Sequence, residues 1–263
     1  MRTDAIEVEE RRLKGIEDIR DYPWFKERHR VFPAVFENRR HKKIIDLSAG
    51  VGCAALRIKE HYNGEIICND ITPSCLRILN KLGLPTVSFN IDDPASPFPF
   101  SDGEFDAVIS LVTIEHLMNL EHFLRETSRV LAPDGFLYIS SPNYAAPEYV
   151  AKLLISGRSF HDPLGSEEQR YEFFGHVRYF TYKTLRDYVR SFGFTLDTVY
   201  IALPEGSSKY CALYARSKWK ALSYRYVMWL RHHILPPRWS SEPILCFQKT
   251  SDRKDRKSRK VVL

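Results

Sequence analysis

The fold is decided by the stretch from Ile44 to Ala55, which reads IIDLSAGVGCAA. It begins as a short apolar strand carrying the acid Asp46, continues as a turn of small residues, and enters a helix. A turn without bulky side chains lets a ligand lie against bare backbone N–H groups at the helix N-terminus. An acid at the strand end suits a cationic or hydroxyl-bearing ligand better than a bare phosphate. The stretch therefore predicts a ligand site where this strand ends.

A second acid follows at the spacing of one βαβ unit. The apolar strand predicted over 65–69 leads directly to Asp70, about eighteen residues after Gly52. An acid at this place can accept hydrogen bonds from both hydroxyls of a ribose. The two acids together indicate a site for a nucleoside.

Predicted strands alternate with predicted helices through the first half of the chain. The strands are expected at 42–47, 65–69, 86–91, 105–110 and 136–140, and the helices at 52–61, 73–82 and 119–131. The strands are continuous apolar runs, which is typical of a parallel sheet with helices on both faces. Ligands bind such sheets beyond the carboxyl ends of the strands, where Asp46, Asp70, Asp92 and the stretch 113–116 fall. We therefore predict an α/β, doubly wound, mostly parallel sheet.

The remaining segments are assigned from their composition and from the positions of proline and glycine. We expect an N-terminal helical segment over 1–40 and one domain over 41–250, which contains an insertion at 142–180 and a basic amphipathic segment at 205–240. A helix at 182–192 and strands at 194–202 and 243–248 complete the domain. The tail 251–263 is expected to be disordered.

The net charge of +6 is concentrated in that tail, where six Lys or Arg residues face two Asp residues and hold +4 of it. A solvated tail or a contact with anionic lipid or nucleic acid would explain it. The five cysteines form no C-x-x-C pair, so we expect reduced thiols in a cytoplasmic protein and no metal site. No signal peptide or apolar run of membrane-spanning length is evident.

Several stretches in the same order resemble the class I S-adenosylmethionine-dependent methyltransferases, in particular the group typified by ubiquinone-biosynthesis O-methyltransferases. They cover 45–52 (IDLSAGVG), 69–73 (NDITP), 92–106, which includes PFSDGEFD, and 114–135, which includes IEHL and PDG. The resemblance runs over about 42–141, with a weaker echo at 175–200. It implies a Rossmann-like sheet of seven strands with a lid after the fifth.

The resemblance also implies roles for individual residues in binding S-adenosylmethionine. Asp46 would orient the methionine part, the backbone of the turn would pass close to it, and Asp70 would hold the ribose. Asp92 is assigned to the adenine amine, with Asn90 as its competitor. The expected cofactor-binding residues are Asp46, Ser48, Gly50, Gly52, Asp70, Ile71, Asp92 and Glu115. Ser48 departs from the family, which usually has glycine there.

Methyl transfer from a sulfonium needs mainly alignment, because the cofactor carries the activated group. An oxygen or nitrogen acceptor can still need a base, and His116 and His176 are the candidates. Each also has a structural interpretation, as a core-edge residue and as a contact within the lid.

We expect a methyltransferase acting on oxygen of a small-molecule or lipid- or glycan-linked acceptor. A catalytically inactive scaffold that kept the fold is the alternative, with Ser48 as the sign of decay. The hypothesis of a nicotinamide dehydrogenase rests only on the pattern G-x-G-x-x-A. The hypothesis of a nucleic-acid modifier ranks low, because the sequence shows no recognition platform of a known type. The segment 209–239 either packs as an ordinary amphipathic helix on the domain or on a dimer partner or, with the tail, contacts a membrane surface. The sequence leaves the oligomeric state open.

Overall fold

A computed structural model of the protein describes residues 5–26, 29–36, 38–158, 161–205, 207–250 and 258–263. The strands are β1 (Lys43–Leu47), β2 (Glu65–Asn69), β3 (Thr86–Val87), β4 (Phe105–Leu111), β5 (Leu131–Ser140), β6 (Phe194–Ile201), β7 (Ile244–Lys249) and β8 (Arg259–Val262). The α-helices are α1 (Ala5–Arg12), α2 (Phe32–Phe36), α3 (Cys53–His61), α4 (Pro73–Lys81), α5 (Leu120–Val130), α6 (Pro147–Ser156), α7 (Glu167–Gly175), α8 (Tyr182–Arg190), α9 (Ser208–Arg216) and α10 (Lys218–Ile234).

The strands form a single sheet in the order β3-β2-β1-β4-β5-β7-β6-β8. Strands β1 to β5 are mutually parallel, whereas β7 runs antiparallel between β5 and β6. This confirms the doubly wound, mostly parallel α/β fold. The order reverses between β1 and β4, and the carboxyl ends of strands on either side of such a point frame a crevice.

Both faces of the sheet are buried, which explains the continuous apolar runs. Successive side chains of a strand point to opposite faces. Ile45 and Val108 accordingly belong to one hydrophobic cluster, and Ile44 and Ala107 to a second cluster. The strands can therefore be recognised by their length and β-branched content, but not by alternation.

The expectation of a disordered tail is wrong for its final residues. Strand β8 pairs in parallel with β6, and the Leu263 N–H donates to the Ile201 carbonyl. Lys260 Nζ donates to the carbonyls of His232, His233 and Leu235 at the end of α10. The apolar pair Val261 and Val262 follows the charged run, and pairing with an exposed strand edge satisfies their backbone groups. The sheet consequently has eight strands instead of seven; residues 251–257 of the predicted tail lie outside the described residues.

Other differences fall where the sequence is least periodic. Within the N-terminal helical segment expected over 1–40, the described residues form only the short α-helices α1 and α2. The strand predicted over 86–91 keeps only β3. The insertion 142–180 contains α6 and α7, and the segment 205–240 forms the two helices α9 and α10. In the part of the chain that the structure describes, no helix is long and apolar enough to span a membrane.

Candidate functional site

A cleft of about 820 Å³ opens at the carboxyl ends of β1, β2 and β4. Its floor is made by the segments 48–51, 70–72, 90–92 and 111–113. Its walls come from the N-terminal segment, the insertion and α10. This volume lies within the range typical of small-molecule and cofactor sites.

The turn after β1 exposes backbone to the cleft. Gly50 has φ +58° and no atom lies within 4 Å of the position that a side chain would occupy. Gly52 has φ +89°, and an added Cβ would approach the Leu79 side chain to 2.7 Å. Ser48 also adopts the left-handed region, with φ +59°. The glycine that the family usually has here would adopt this conformation without strain.

Replacing Ser48 by Gly should therefore stabilise the protein. A left-handed conformation costs an L-residue about 1–2 kcal/mol, and the greater freedom of glycine in the unfolded chain offsets part of that cost. We expect the free energy of unfolding of Ser48→Gly to rise by about 0.5–1 kcal/mol in urea titrations. Ala49→Gly is the matched control and should destabilise; a Ser48→Gly variant that is no more stable than the parent would show that the serine side chain compensates for the strain.

Asp70 organises the same turn while it lines the cleft. Its Oδ2 accepts the Gly50 N–H at 2.9 Å and its Oδ1 accepts the Thr72 N–H at 2.8 Å. Burial raises the pKa of Asp70, and the two backbone hydrogen bonds act against that shift. Each oxygen keeps a second lone pair, so the carboxylate can order the turn and still accept ligand hydroxyls. Its neighbour Ile71 also lines the cleft.

Asp46 is buried beneath the turn and is not among the residues that line the cleft. Its Oδ2 has no hydrogen-bond partner among the described residues. Burial, and secondarily the charge of Asp70, raises the pKa of Asp46 to about 8. A buried acid in this state would be stabilised as a carboxylate by a nearby cation. Its expected role in orienting the methionine part of a cofactor stays a prediction.

The raised pKa of Asp46 makes the ligand-free protein sensitive to pH. The folded state holds this proton up to about pH 8, whereas the unfolded chain releases it near the ordinary value of 3.8. Stability should therefore fall as the pH rises between these values. We expect Asp46→Asn to gain about 2 kcal/mol over the wild type between about pH 6 and about pH 8, measured by denaturant unfolding. An equal difference at both pH values would contradict this assignment.

Asp92 lies in the cleft floor, but its carboxylate already accepts hydrogen bonds from backbone N–H groups of the protein. Its two oxygens accept the N–H groups of Met118 and Asn119, the residues directly before α5, at 3.0 and 2.6 Å. Carboxylates are favoured at helix N-termini for this reason. Asn90 also lines the cleft, and its Oδ1 accepts the Asp92 N–H at 3.0 Å. The assignment of either to an adenine amine stays a prediction.

The two histidines proposed as bases lie side by side. His116 and His176 both line the cleft, and their ring centroids are 4.7 Å apart. The Glu115 side chain is completely buried, and its backbone carbonyl accepts the N–H groups of Val177 and Arg178, which fastens the insertion to the sheet. One ligand atom from each of Glu115, His116 and His176 lies within 4.8 Å of the others. The expectation of no metal site did not foresee this donor set.

A chain of hydrogen bonds within the insertion leads to His176. Glu172 Oε2 lies 2.7 Å from His161 Nδ1, and His161 Nε2 lies 2.8 Å from the Tyr144 hydroxyl. That hydroxyl lies 2.6 Å from His176 Nδ1. The side chains of Tyr144, His161 and His176 are each about 5% exposed. Burial raises the pKa of Tyr144, so it stays a neutral hydroxyl.

The N-terminal segment supplies a wall that sequence reasoning missed. Glu9 and Arg12 of α1 line the cleft and form an ion pair at 2.7 Å. The Arg12 guanidinium lies 4.9 Å from the ring centroid of Tyr171 on α7, so the N-terminal helix contacts the insertion. A charged helix of this composition resembles a solvated one, and only its tertiary contacts reveal the role.

The chain matches the family described as "Methyltransferase domain" over residues 16–199. It is 33% identical over 108 residues to ajmaline N-methyltransferase from Rauvolfia serpentina, covering 39% of this chain and 37% of the relative. It is 38% identical over 103 residues to demethylmenaquinone methyltransferase from Thermus thermophilus, covering 37% and 46%. The chain thus spans less than half the length of these relatives.

The fold has many solved counterparts. One is a methyltransferase from Thermotoga maritima described as a possible histamine N-methyltransferase, with a TM-score of 0.61 and 15% identity, covering 93% of this chain and 99% of that one. At this identity the likeness establishes the fold alone. The family match covers well over half of the sequence, and the cleft lies where a doubly wound sheet binds its ligand. The chain therefore belongs to the methyltransferase domain family.

Proposed function

We propose that this protein transfers the methyl group of S-adenosylmethionine to an oxygen atom of a small-molecule or lipid- or glycan-linked acceptor. The observation that carries the oxygen assignment is the hydrogen-bonded chain Glu172–His161–Tyr144–His176, because it ends at a histidine in the cleft wall. An alcohol or phenol must lose its proton on methylation, and a positioned histidine can take it.

The residues of the floor fit the cofactor. S-adenosylmethionine, when bound, supplies an activated methyl group on a sulfonium. Gly50 leaves open space beside the backbone, and Asp70 keeps lone pairs for ribose hydroxyls. Asp46, which burial keeps protonated in the ligand-free protein, would ionise beneath the turn when a cation lies nearby. A cationic ligand suits a site with one acid in its floor and a second acid buried beneath the turn.

The carboxylate at the far end of the chain sets the direction of its hydrogen bonds. The Glu172 carboxylate accepts a hydrogen bond from His161 Nδ1–H, and His161 Nε2 then accepts one from the Tyr144 hydroxyl. With its one proton so used, Tyr144 accepts from His176 Nδ1–H. This tautomer leaves Nε2 of His176 as the basic nitrogen, and the chain stabilises the imidazolium that forms. His176 is therefore the base, and Tyr144, His161 and Glu172 position it.

The donor set of Glu115, His116 and His176 supports a second hypothesis for the histidines, in which they bind a divalent cation. Turnover by metal-free protein distinguishes the two. A base at His176 predicts that dialysis against a chelator leaves the rate unchanged, whereas a metal requirement would appear as lost activity that added Mg²⁺, Mn²⁺ or Zn²⁺ restores.

The proposal is tested in two steps. Calorimetric titration with S-adenosylmethionine should show binding in the micromolar range. Incubation of the protein with a cell extract and methyl-labelled S-adenosylmethionine should then give a labelled product, which mass spectrometry can identify as an ether or ester. Absence of cofactor binding would support the inactive scaffold, and a labelled amine would overturn the oxygen assignment.

A further inference from the structure

The outward face of α10 is apolar, which is the reverse of an ordinary amphipathic helix on a domain surface. Ala221 and His232 are buried against the body of the protein. The opposite stripe follows helical spacing and consists of Trp219, Tyr226, Leu230 and Ile234. Trp219 is 81% and Ile234 is 67% exposed. Contiguous exposed apolar surface marks contacts with a partner or a membrane.

Positive charge surrounds this stripe. The segment 206–241 contains seven Lys or Arg residues and no Asp or Glu. Lys218 and Lys220 lie on α10 about a quarter turn to either side of the stripe centre, as the helical period places them. Arg225 pairs with Glu205 and Arg231 with Glu148, so two of the seven charges are partnered by acids outside the segment.

The neighbouring helix α6 also exposes apolar side chains. The ion pair of Arg231 with Glu148 joins the end of α10 to the beginning of α6. Further along α6, Leu154 is 78% and Ile155 is 85% exposed. The two neighbouring helices thus leave apolar side chains in solvent while their ion pair holds them together.

We propose that the apolar stripe of α10 docks onto an anionic lipid bilayer, with the helix lying in the plane of the interface. An interfacial helix has aromatic and aliphatic side chains on one face and Lys or Arg beside them, where they reach lipid phosphates. Tryptophan and tyrosine favour this boundary because their rings are apolar and their N–H or O–H groups stay hydrated. A second copy of the chain fits poorly, because self-association would bring two basic segments together.

The inner side of the same helix forms part of the cleft wall. Tyr224, Met228 and His232 line the cleft, on the side of α10 that faces away from the stripe. Docking would therefore place the cleft one helix diameter from the bilayer surface. If the proposed methyl transfer holds, this placement favours an acceptor carried on a lipid. The docking itself does not depend on methyl transfer.

The test is co-sedimentation of the full chain with vesicles of phosphatidylcholine alone and of phosphatidylcholine with phosphatidylglycerol. We expect binding to the anionic vesicles that weakens as salt is added. The variant Trp219→Ser/Tyr226→Ser/Ile234→Ser should bind at least about tenfold more weakly, and Lys218→Gln/Lys220→Gln about tenfold more weakly. These side chains are exposed, so the variants should keep the parent's circular dichroism and S-adenosylmethionine titration.

The matched control is Lys42→Gln/Lys81→Gln, which removes the same charge from exposed positions elsewhere and should bind like the parent. Equal vesicle binding by the apolar variant and the parent would overturn the proposal. So would a parent that ignores anionic vesicles but forms a dimer that the apolar variant loses, since the stripe would then be an interface between copies. Vesicle binding without a labelled product would leave the docking surface established and remove only the methyl transfer.

Discussion

The variant Asp70→Ala should bind S-adenosylmethionine about a hundredfold more weakly than the parent in calorimetric titrations. The substitution removes the acceptor for ribose hydroxyls, and a hydrogen bond to a charged group contributes about 1.5–3 kcal/mol. It also leaves the N–H groups of Gly50 and Thr72 without their acceptor, so the turn that should cradle the ligand loses its order. Both effects act in the same direction.

A matched carboxylate at the opposite edge of the sheet provides the control. Asp106 Oδ2 accepts the N–H groups of Lys42 and Lys43, at 2.8 and 2.9 Å, where β1 begins. Asp106→Ala also removes an acceptor from two backbone groups, but it does so far from the cleft. We expect it to destabilise the fold while the affinity for S-adenosylmethionine stays within about twofold of the parent. Equal losses of affinity in the two variants would show that the Asp70 effect is a loss of folding.

The second large effect is expected at His176. Replacing it by Gln should lower kcat by about 10²–10³-fold, as is usual for loss of a general base, while the KM for S-adenosylmethionine changes little. The measurement is release of S-adenosylhomocysteine in the presence of the extract fraction that supports turnover. His61→Gln alters an exposed histidine outside the cleft and should leave kcat unchanged.

The hydrogen-bonded chain that ends at His176 allows a second test of the base assignment, by the pH dependence of kcat. Tyr144→Phe keeps the ring but removes the hydroxyl that joins His161 to His176. We expect a loss of about tenfold in kcat and a changed pH dependence, because the imidazolium of His176 loses its stabilising partner. A structural role for Tyr144 would lower stability without moving the pH profile. Full activity of His176→Gln would remove the base assignment, even with cofactor binding intact.

The central sheet could be predicted because its signals are local. The turn after β1 combines small residues with a strand before it and a helix after it, and each strand is a compact apolar run. The position of Asp70 in the cleft could be predicted from its distance to Gly52, since one βαβ unit fixes that spacing. Even the strain at Ser48 could be anticipated, because a non-glycine residue stands in a tight turn.

The features that could not be predicted depend on contacts between residues that are distant in the sequence. Tyr144, His161 and Glu172 come from an insertion without periodicity, and their chain to His176 exists only once that segment folds back. Asp92 reaches the start of α5 across more than twenty residues, so its capping role has no local signature. Strand β8 could not be predicted, because the charged residues before it are typical of a solvated tail. Its pairing also depends on the free edge of β6, which the sequence of β8 itself does not indicate.

The bonds of Lys260 have a practical consequence for handling the protein. A single ammonium at the final strand holds three carbonyls at the end of α10, a helix that forms part of the cleft wall. Loss of β8 would remove that anchor while leaving the floor with Asp70 untouched. A sample that has lost this strand should keep a normal cofactor titration and yet fail to turn over, and an intact mass spectrum is the quality check that reveals it.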